Sequence, residues 1–415
     1  MKRYLQQLLE QYFSFYLLPG SNIIRIDRDH AEFPAKTANS PDYIVLNGIV
    51  HSASDLQELF EKTRSYCAPE TRVIIAYYSS LWKPLIGFAN WLGIREDQGE
   101  ENWVAPSDIQ NFLNLADFEL LSRSQHILIP LPIPFISNFI NRWLAPLPFF
   151  QSMSLVNIAI AKPMHHGNNT INKADMPSVS VIVAARNEAG NMEALFQRLP
   201  QMGSHTELIL IEGGSSDHTW DEMHKMKAKY DGKIDCLIAR QDGKGKGDAV
   251  RKGFAMAKND ILMILDADLT VPPEELPKFY QAIVRGKGEF INGSRLVYPQ
   301  ESEAMRFFNM VGNKFFALAF SFLLGQNFKD TLCGTKVMYR KQYERLAANR
   351  SYFGEFDPFG DFDLLFGAAR LGLKIVELPI RYKNRTYGET NIQRWRHGMI
   401  LLRMTVFAAR RIKFI

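Results

Sequence analysis

The amino-acid sequence predicts an α/β fold in two domains, and three observations support this. The chain has 415 residues, 46% apolar and 22% charged, which is enough globular sequence for two cores. Strand-like and helix-like stretches alternate along it, as is typical of sheets covered by helices. A polar run rich in turn-forming residues, 163–177, interrupts the alternation. We therefore expect domains at 1–162 and 178–415, joined by a linker.

Each domain has its own series of predicted elements. Short apolar runs predict buried strands, and longer runs with apolar residues three or four apart predict helices. In the N-terminal domain the strands are expected at 43–46, 72–77 and 118–121, and the helices at 56–66 and 108–116. In the C-terminal domain the strands are expected at 179–184, 207–211 and 261–265, and the helices at 191–199, 219–230 and 249–257. Alternation of this kind predicts a mainly parallel sheet in the N-terminal domain.

Composition excludes several classes of protein. The formal net charge of +5 is too small to indicate nucleic-acid binding. Cys67, Cys236 and Cys333 have no metal-ligand spacing and are odd in number, which favours a reducing cytoplasm. The N-terminus lacks the apolar run of a signal peptide. No stretch reaches the roughly 18 apolar residues that span a bilayer, so we expect a cytoplasmic protein that is soluble or lies on a membrane.

Two aspartates, Asp266 and Asp268, directly follow the apolar run 261–265. In an open α/β sheet, ligands bind beyond the carboxyl ends of the strands. Two carboxylates at that place suit a divalent ion that takes its other ligands from diphosphate oxygens and water. An isolated Asp-x-Asp is more often a solvated turn, so this interpretation depends on the neighbouring motifs.

Three further segments accompany the aspartates. The run 181–188 leads from a strand into a polar loop, and 208–217 leads from a second strand into a turn of Gly, Ser and Asp. The segment 243–251 is a glycine-rich loop that opens a helix, and its glycines permit close backbone approach to a ligand. Its residues able to offset phosphate charge are Lys244, Lys246 and Arg251. Singly, each segment is as well explained by an ordinary turn.

In this order and spacing, the segments resemble the family 2 glycosyltransferases, especially the dolichyl-phosphate mannose and glucose synthase branch. The resemblance covers 177–415 and implies a Rossmann-like GT-A fold for that domain. The further segments that carry it are 271–275, 292–295, 330–336, 361–363, 379–382 and 385–391.

The resemblance also implies roles for individual residues. The metal, Mg²⁺ or Mn²⁺, would be held by Asp266 and Asp268. The nucleotide-sugar donor would contact these two and Ala184, Arg186, Glu188, Glu212, Lys244, Lys246, Asp248, Arg251, Ala267 and Arg295. Phosphate or acceptor would be bound by Lys336, Arg381, Arg385 and Asn391. The catalytic carboxylates would be Asp266, Asp268, Asp361 and Asp363.

Two places depart from the family pattern. The second motif usually has two aspartates, where this chain has Glu212 and Gly213. The usual Ser-Lys near the end is here Thr390-Asn391. These departures do not affect the fold prediction, but they leave open the donor and the contacts to the acceptor phosphate.

The reaction that the resemblance implies is inverting transfer from a UDP- or GDP-linked sugar to a membrane-associated acceptor, with polyprenyl phosphate favoured. An ionised phosphate needs no general base, whereas a sugar hydroxyl needs a carboxylate within hydrogen-bond reach. Asp361 is the better candidate for that base; alternatively, Asp361 and Asp363 bind metal waters or cap the following helix. A bifunctional methyltransferase and glycosyltransferase, and a non-catalytic scaffold, are the alternative functions.

Two predicted helices favour contact with a membrane surface. The first, 301–329, is almost wholly apolar after Phe315. The second, 395–415, carries a basic stripe opposite an apolar one, a pattern that favours anionic lipid. The basic stripe consists of Arg396, Arg403 and Arg410, and the apolar stripe of Leu401, Ala408 and Ile412. Alternatively, both helices pack on the domain core or on a second subunit.

The N-terminal domain resembles the second half of a class I methyltransferase-like domain. The segments that carry this resemblance are 42–46, 71–78, 101–103 and 116–121. Binding of S-adenosylmethionine needs a glycine-rich turn after the first strand, and the corresponding segment, 18–27, has no Gly-x-Gly. We therefore expect a degenerate, truncated domain that does not bind this cofactor. It would serve homo-oligomerisation, acceptor positioning or membrane contact through 127–150.

Overall fold

The computed structural model describes residues 2–28, 31–36, 39–93, 102–164, 176–295, 307–352, 360–385, 387 and 394–414, without the side chains of 2, 307–311 and 394–397. It divides into two compact units. The first consists of Met1–His166 with Ala409–Ile415, and the second of Gly167–Ala408. The division between His166 and Gly167 falls inside the predicted linker. The end of the chain, expected in the C-terminal domain, lies in the N-terminal unit.

The N-terminal unit contains a five-stranded mixed sheet. Its strands are β1 (Ile23–Asp27), β2 (Tyr43–Asn47), β3 (Arg72–Tyr78), β4 (Phe118–His126) and β5 (Val156–Pro163). Their order is β1-β2-β3-β5-β4, and β5 is antiparallel to both β3 and β4. Four of these five strands run in the same direction and β5 alone is reversed, which agrees with the expected mainly parallel sheet. The connection from β4 to β5 begins and ends at one edge of the sheet, which reverses the chain direction.

Helices flank this sheet and leave its central strands buried. They are α1 (Lys2–Tyr16), α2 (Leu56–Arg64), α3 (Lys83–Trp91), α4 (Pro106–Leu115), α5 (Ile136–Phe139) and α6 (Pro148–Gln151). Asp55 begins α2, because its side chain accepts from the backbone N–H groups of Gln57 and Glu58 at 2.8 and 3.1 Å. The strands β2, β3 and β5 are apolar and buried on both faces, as a sheet covered on two sides requires.

The C-terminal unit contains a seven-stranded, Rossmann-like sheet. Its strands are β6 (Val179–Ala185), β7 (Thr206–Glu212), β8 (Asp235–Arg240), β9 (Ile261–Ile264), β10 (Phe290–Ser294), β11 (Lys336–Tyr339) and β12 (Ile375–Pro379). The order is β12-β10-β11-β9-β6-β7-β8, and only β11 runs antiparallel to its neighbours. The predicted α/β fold class is confirmed. The strands foreseen from the sequence are β6, β7 and β9.

The helices of this unit are α7 (Met192–Arg198), α8 (Thr219–Lys229), α9 (Lys246–Met256), α10 (Leu276–Val284), α11 (Phe307–Leu324), α12 (Arg340–Ala348), α13 (Asp361–Arg370) and most of α14 (Arg394–Ile412), whose last residues, from Ala409, belong to the N-terminal unit. The described part of α11 ends before Gly325, whose φ of 65° suits the residue after a helix. Phe320 of α11 packs on Phe362 and Phe366 of α13, with ring centroids 4.4 and 4.7 Å apart. One face of α11 is thus core.

The same holds for the apolar stripe of α14. Leu401, Ala408 and Ile412 are buried, whereas Arg403 and Arg410 are exposed; Arg396 lies outside the described side chains. Packing on protein, the alternative left open by the sequence, accounts for this stripe. In the described part of the chain, no helix combines the length and hydropathy that crossing a bilayer requires.

Candidate active site

The predicted site lies where three neighbouring parallel strands end. Ala185 at the end of β6 pairs with Glu212 at the end of β7. On the other side of β6, the backbone N–H of Leu265 donates to the carbonyl of Ile182 at 3.0 Å, which places Asp266 just beyond the same edge. The expectation of a ligand site at the carboxyl ends of the strands rests on this arrangement.

Asp266 forms an ion pair with Lys246, the first residue of α9. Lys246 Nζ donates to Asp266 Oδ1 at 2.5 Å. Burial opposes ionisation of Asp266, but the charge and hydrogen bond of Lys246 outweigh it and lower the pKa of this carboxyl. Burial also opposes the charge on Lys246, and the carboxylates of Asp266, Asp361 and Asp268 together raise its pKa. Both groups are therefore charged at neutral pH.

The glycine-rich loop holds Lys246 in this place. Gly245 has a φ of 86°, which favours glycine, and immediately precedes α9. Asp248 Oδ2 accepts from the backbone N–H of Gly243 at 2.8 Å and so closes the loop. Lys244 is exposed on this loop. The structure thus shows Asp248 fixing the loop backbone, while Lys246 reaches the aspartate.

Gly334 covers the same ion pair from another loop. A Cβ atom at this position would overlap the Asp266 carboxylate and would lie 2.5 Å from Lys246 Nζ. Only a residue without a side chain allows the backbone to pass this close. Gly334 lies in one of the segments that carry the family resemblance, and no role was predicted for it from the sequence, although a glycine beside a charged site is a usable signal.

Asp268 is held by a sharp turn and a second cation. Leu269 has a φ of 53°, which leucine rarely adopts, and the turn lets Thr270 donate to Asp268 Oδ1 from its backbone N–H and hydroxyl at 3.1 and 2.8 Å. Arg385 Nη2 donates to Asp268 Oδ2 at 2.6 Å, and Arg385 Nη1 lies 3.4 Å from Glu188 Oε1. Arg385 therefore bridges two predicted donor-site carboxylates.

The acidity of Glu188 is also perturbed. Burial raises the pKa of Glu188 to about 7, against the opposing effects of Arg385 and of the hydrogen bond from Asn191, which measures 2.7 Å. Asp268 and Asp217 add a smaller increase in the pKa of Glu188. A carboxyl that titrates near neutral pH beside an arginine and an aspartate is typical of a functional site.

The loops after β6 and β7 are tied together by residues that the sequence analysis assigned no role. Asn187 Oδ1 accepts from the backbone N–H of Ser216 at 2.8 Å. Asp217 accepts from the backbone N–H of Thr219 at 3.0 Å and lies 3.4 Å from the Tyr387 hydroxyl. The Asp217-His218-Thr219 run before α8 resembles a helix cap, the signal that could have identified it. These contacts fix the shape of the two loops.

Two further aspartates, at the start of α13, have different partners. Asp361 Oδ1 accepts from the fully buried Lys336 Nζ at 2.7 Å, and Lys336 also donates to the Cys333 carbonyl. Asp363 accepts from Arg350 Nε at 2.8 Å instead. The charge of Asp361 acts on Lys246, which places Asp361 with the Asp266 group. Asp363 and Arg350 line a small separate cavity with Leu346 and Arg370.

Arg295, predicted to contact the donor, is bound to another carboxylate. Its guanidinium makes two hydrogen bonds to Asp330, of 2.7 and 2.9 Å, and Asp330 is fully buried. Although burial opposes ionisation, Arg295 lowers the pKa of Asp330 to about 2. Asn313 also donates to Asp330, at 2.7 Å. Asp330 thus anchors Arg295 beneath the site.

The other predicted residues occupy varied surroundings. Glu212 is buried and accepts from the backbone N–H of Ser215 at 2.5 Å. Ala267 is buried, and Ala184 and Arg251 are half-buried. Arg186 and Arg381 are exposed. Asn391, like Thr390, lies outside the described residues.

The ligand atoms that the site offers to a metal suit Mg²⁺ or Mn²⁺. Asp266 and Asp268 offer carboxylate oxygens, the ligands that such hard ions prefer. Among the described residues, no group of three or more His, Cys, Asp and Glu side chains has an arrangement that would hold a metal. An ion held by Asp266 and Asp268 would take further ligands from oxygens of the substrate and water, as Mg²⁺ commonly does.

Comparison with known proteins identifies a family match in the C-terminal unit. Residues 180–347 match the model of the Glycosyl transferase family 2. The chain is 31% identical over 221 residues to a dolichol-phosphate mannosyltransferase of Pyrococcus furiosus, covering 52% of this chain and 59% of that protein. It is 32% identical over 120 residues to an undecaprenyl-phosphate 4-deoxy-4-formamido-L-arabinose transferase of Aeromonas hydrophila, covering 28% of this chain and 36% of that protein.

A solved structure is also similar. Glucosyl-3-phosphoglycerate synthase of M. tuberculosis aligns with 57% of this chain and 81% of its own, at 18% identity and a TM-score of 0.41. The match to 180–347 confirms the resemblance drawn from the sequence for the C-terminal segment: the chain contains a glycosyl transferase family 2 domain. The chain spans about three fifths and one third of the two relatives' lengths. The methyltransferase-like character of the N-terminal domain stays a prediction.

Proposed function

We propose that the glycosyl transferase family 2 domain transfers a sugar, with inversion, from a UDP- or GDP-sugar to polyprenyl phosphate. The observation that carries the proposal is the pair Asp266 and Asp268 at the carboxyl end of β9, each bound to a cation, Lys246 or Arg385. Acidic metal ligands beside basic phosphate ligands are what a metal-bound diphosphate requires. The names of the two relatives support polyprenyl phosphate as the acceptor.

The diphosphate of the donor would lie between the paired charges. Asp266 and Asp268 would hold Mg²⁺ or Mn²⁺, which when bound stabilises the negative charge that develops on the leaving diphosphate. Lys246 and Arg385 are within hydrogen-bond distance of these carboxylates, so both cations can also bind diphosphate oxygens. Because Gly334 has no side chain, its backbone can lie against the Asp266–Lys246 pair and exclude water from it.

The nucleoside would lie along the rim formed by the loops after β6 and β7. Glu212 is buried at the end of β7, and its Oε2 lies 3.9 Å from Arg240 Nε. Arg240 packs over the Trp220 ring at 4.4 Å. This surface supports binding of the base or ribose, and Glu212 in place of the usual aspartate leaves the identity of the base to experiment.

The acceptor phosphate would attack the anomeric carbon directly. Such a phosphate is already ionised, so no side chain need remove a proton. Lys336 is buried and forms an ion pair with Asp361. It can therefore act on a second phosphate only indirectly, through Asp361. Transfer to a sugar hydroxyl is the second candidate function, because Asp361 is a carboxylate grouped with Lys246 and could serve as its base.

A lipid-linked acceptor places the enzyme against a membrane, and a nucleotide-sugar donor places it on the cytoplasmic face. We propose a peripheral association, since none of the described helices can cross a bilayer. The N-terminal unit would bind no S-adenosylmethionine and would not contact nucleic acid. Calorimetric detection of S-adenosylmethionine binding would contradict the first of these statements.

The test is a panel of UDP- and GDP-sugars offered with polyprenyl phosphate and Mn²⁺, with any glycolipid identified by mass spectrometry. We expect one donor to give product with the wild type, and Asp268→Ala to lose at least about 100-fold in turnover. Asp221→Ala, which changes an exposed aspartate of α8, is the matched control and should behave as wild type. Equal turnover by Asp268→Ala would overturn the metal role. Product only with a hydroxyl acceptor would favour the second candidate function.

A further inference from the structure

Two segments of the N-terminal unit meet at one edge of its sheet. One contains α3 and follows the end of β3; the other, 127–155, joins the end of β4 to the start of β5. The register pairs Val156 of β5 with both Tyr78 and His126, so the segments leave from adjacent positions. Trp82 Nε1 donates to the Met153 carbonyl at 2.8 Å, which joins them directly. We call residues 81–92 and 127–153 the apolar edge.

The helix α3 exposes apolar side chains and buries none of its residues. Leu85, Phe88 and Trp91 recur three residues apart and share a face, and Trp91 is 78% exposed. The Phe88 and Trp91 rings stack with centroids 5.8 Å apart, so they form one continuous surface. A helix of a protein in water normally turns such a face inward.

In the segment 127–155, the polar side chains of Asn141 and Ser137 are turned inside. Asn141 is buried, accepts from the backbone N–H groups of Leu128 and Ile129 at 2.9 and 2.8 Å, and donates to the Ile129 carbonyl at 2.7 Å. Ser137 is buried and bonds to the backbone of Leu131 and Ile133. Meanwhile Phe135, at the tip, is 92% exposed. The polar groups fix the backbone in a shape that presents apolar side chains outward.

The charges of the apolar edge have one sign. The runs 79–93 and 127–155 contain no aspartate or glutamate. They contain Lys83 and Arg142, both exposed. Phe414 lies 5.8 Å from the Trp143 ring, which brings the end of the chain, with the exposed Arg410, to the same neighbourhood. Cations around an apolar surface complement anionic lipid headgroups.

We propose that the apolar edge inserts into the interfacial region of a bilayer containing anionic lipid. Apolar surfaces of this extent mark a site of interaction, and tryptophans are enriched at the membrane–water interface. A symmetric pairing of two copies through this edge would bring like charges together without a carboxylate to compensate them. The proposal rests on exposure and charge in the N-terminal unit and holds whatever reaction the C-terminal unit performs.

The test is flotation of the full chain with vesicles of phosphatidylcholine alone or with phosphatidylglycerol. We expect the wild type to float with the anionic vesicles, and the double variant Phe88→Glu/Phe135→Glu to partition at least about 10-fold less. Leu115→Glu, at the opposite end of the same unit, changes an exposed leucine and should float as wild type. Leu318→Glu, on the exposed side of α11, tests the other unit and should also float. Thermal unfolding checks that all variants fold.

Several outcomes would overturn the proposal. These are a wild type that stays unbound, a double variant that floats fully, or loss of binding in Leu318→Glu alone. A dimeric wild type and monomeric double variant, neither binding vesicles, would identify the edge as an interface between copies. A double variant that no longer floats but still glycosylates a short, water-soluble polyprenyl phosphate would support the membrane site and leave the proposed function intact. Conversely, an inactive wild type that floats would count against the proposed function alone.

Discussion

The two units present opposite chemistry at the ends of their strands. In the C-terminal unit, the loops after β6, β7 and β9 carry charges that are shielded and paired, such as Asp266 with Lys246 and Asp268 with Arg385. In the N-terminal unit, the runs 79–93 and 127–155, which follow the ends of β3 and β4, carry exposed apolar side chains and contain no aspartate or glutamate. The central strands of both sheets are buried. The difference teaches that the strands supply a frame, and that the loops decide which partner a unit can meet.

If the stability of the C-terminal unit depends on its paired charges, removing one partner of a buried pair should have the largest effect. Lys336→Met leaves Asp361 buried without its cation, and we expect the free energy of unfolding to fall by about 3–5 kcal/mol. Urea denaturation measures it. Lys225→Met, which breaks an exposed pair with Glu222, should change it by less than about 1 kcal/mol. Similar losses of unfolding free energy in the two variants would show that the buried pair contributes no more to stability than the exposed pair.

A second change tests how closely the backbone must pass the aspartates. In Gly334→Ala, the added methyl overlaps the Asp266 carboxylate and displaces Lys246. We expect kcat/KM of the glycosyl transfer to fall about 10- to 100-fold, because small displacements of catalytic groups are costly. Gly87→Ala on α3, where an added Cβ meets nothing within 4 Å, is the control. Unchanged kinetics in Gly334→Ala would remove this contact from the mechanism.

Glu188 makes the stability of the folded chain depend on pH. Burial raises its pKa from 4.5 to about 7, so the folded chain holds a proton that the unfolded chain has lost in this window. Its contribution to stability is therefore full below pH 4.5 and is lost as the pH rises through 7. The difference in unfolding free energy between wild type and Glu188→Gln should change over this range and level off above it. The exposed Glu344→Gln should show no such change; a flat difference for Glu188→Gln would contradict the assigned cause.

The smallest effect on stability is expected at the apolar edge of the N-terminal unit. Phe88→Ala removes an exposed ring, and the free energy of unfolding should change by no more than about 0.5 kcal/mol. Phe60→Ala in the same unit removes a fully buried ring and should cost about 3–5 kcal/mol. Thermal or urea unfolding measures both. A large loss in Phe88→Ala would mean that this ring belongs to the core, and the contrast between the two units would fail.

The predictable part of the fold follows from local pattern. The strands β6, β7 and β9 are continuous apolar runs, and such runs are recognised without knowledge of their neighbours. The antiparallel place of β5 between β3 and β4 was not predictable, because register and order depend on contacts between residues far apart in sequence. For the same reason, the sequence did not show whether the apolar stripe of α14 faces a membrane or packs on protein. In the structure the residues of this stripe are buried, so they pack on protein.

The candidate site was predictable in its components and less so in their pairing. The sequence indicated Asp266, Asp268 and Lys246 by type and spacing. It did not indicate that Arg385 bridges Asp268 to Glu188, since these residues lie 117 and 197 positions from Arg385 along the chain. Nor did it show that Arg295 is bound to Asp330, which limits the access of Arg295 to a donor phosphate.

By itself, the sequence determined the α/β class, the glycosyl transferase family 2 domain and the location of its acidic motif, because these depend on periodicity and on short ordered motifs. Only the tertiary structure decided which charges meet, which glycine must stay a glycine, and which apolar side chains face water. The physical reason is that pairing and burial are properties of surroundings assembled from distant segments. An aspartate or a phenylalanine has the same chemistry in every chain, and its environment sets its acidity, its partner and its exposure.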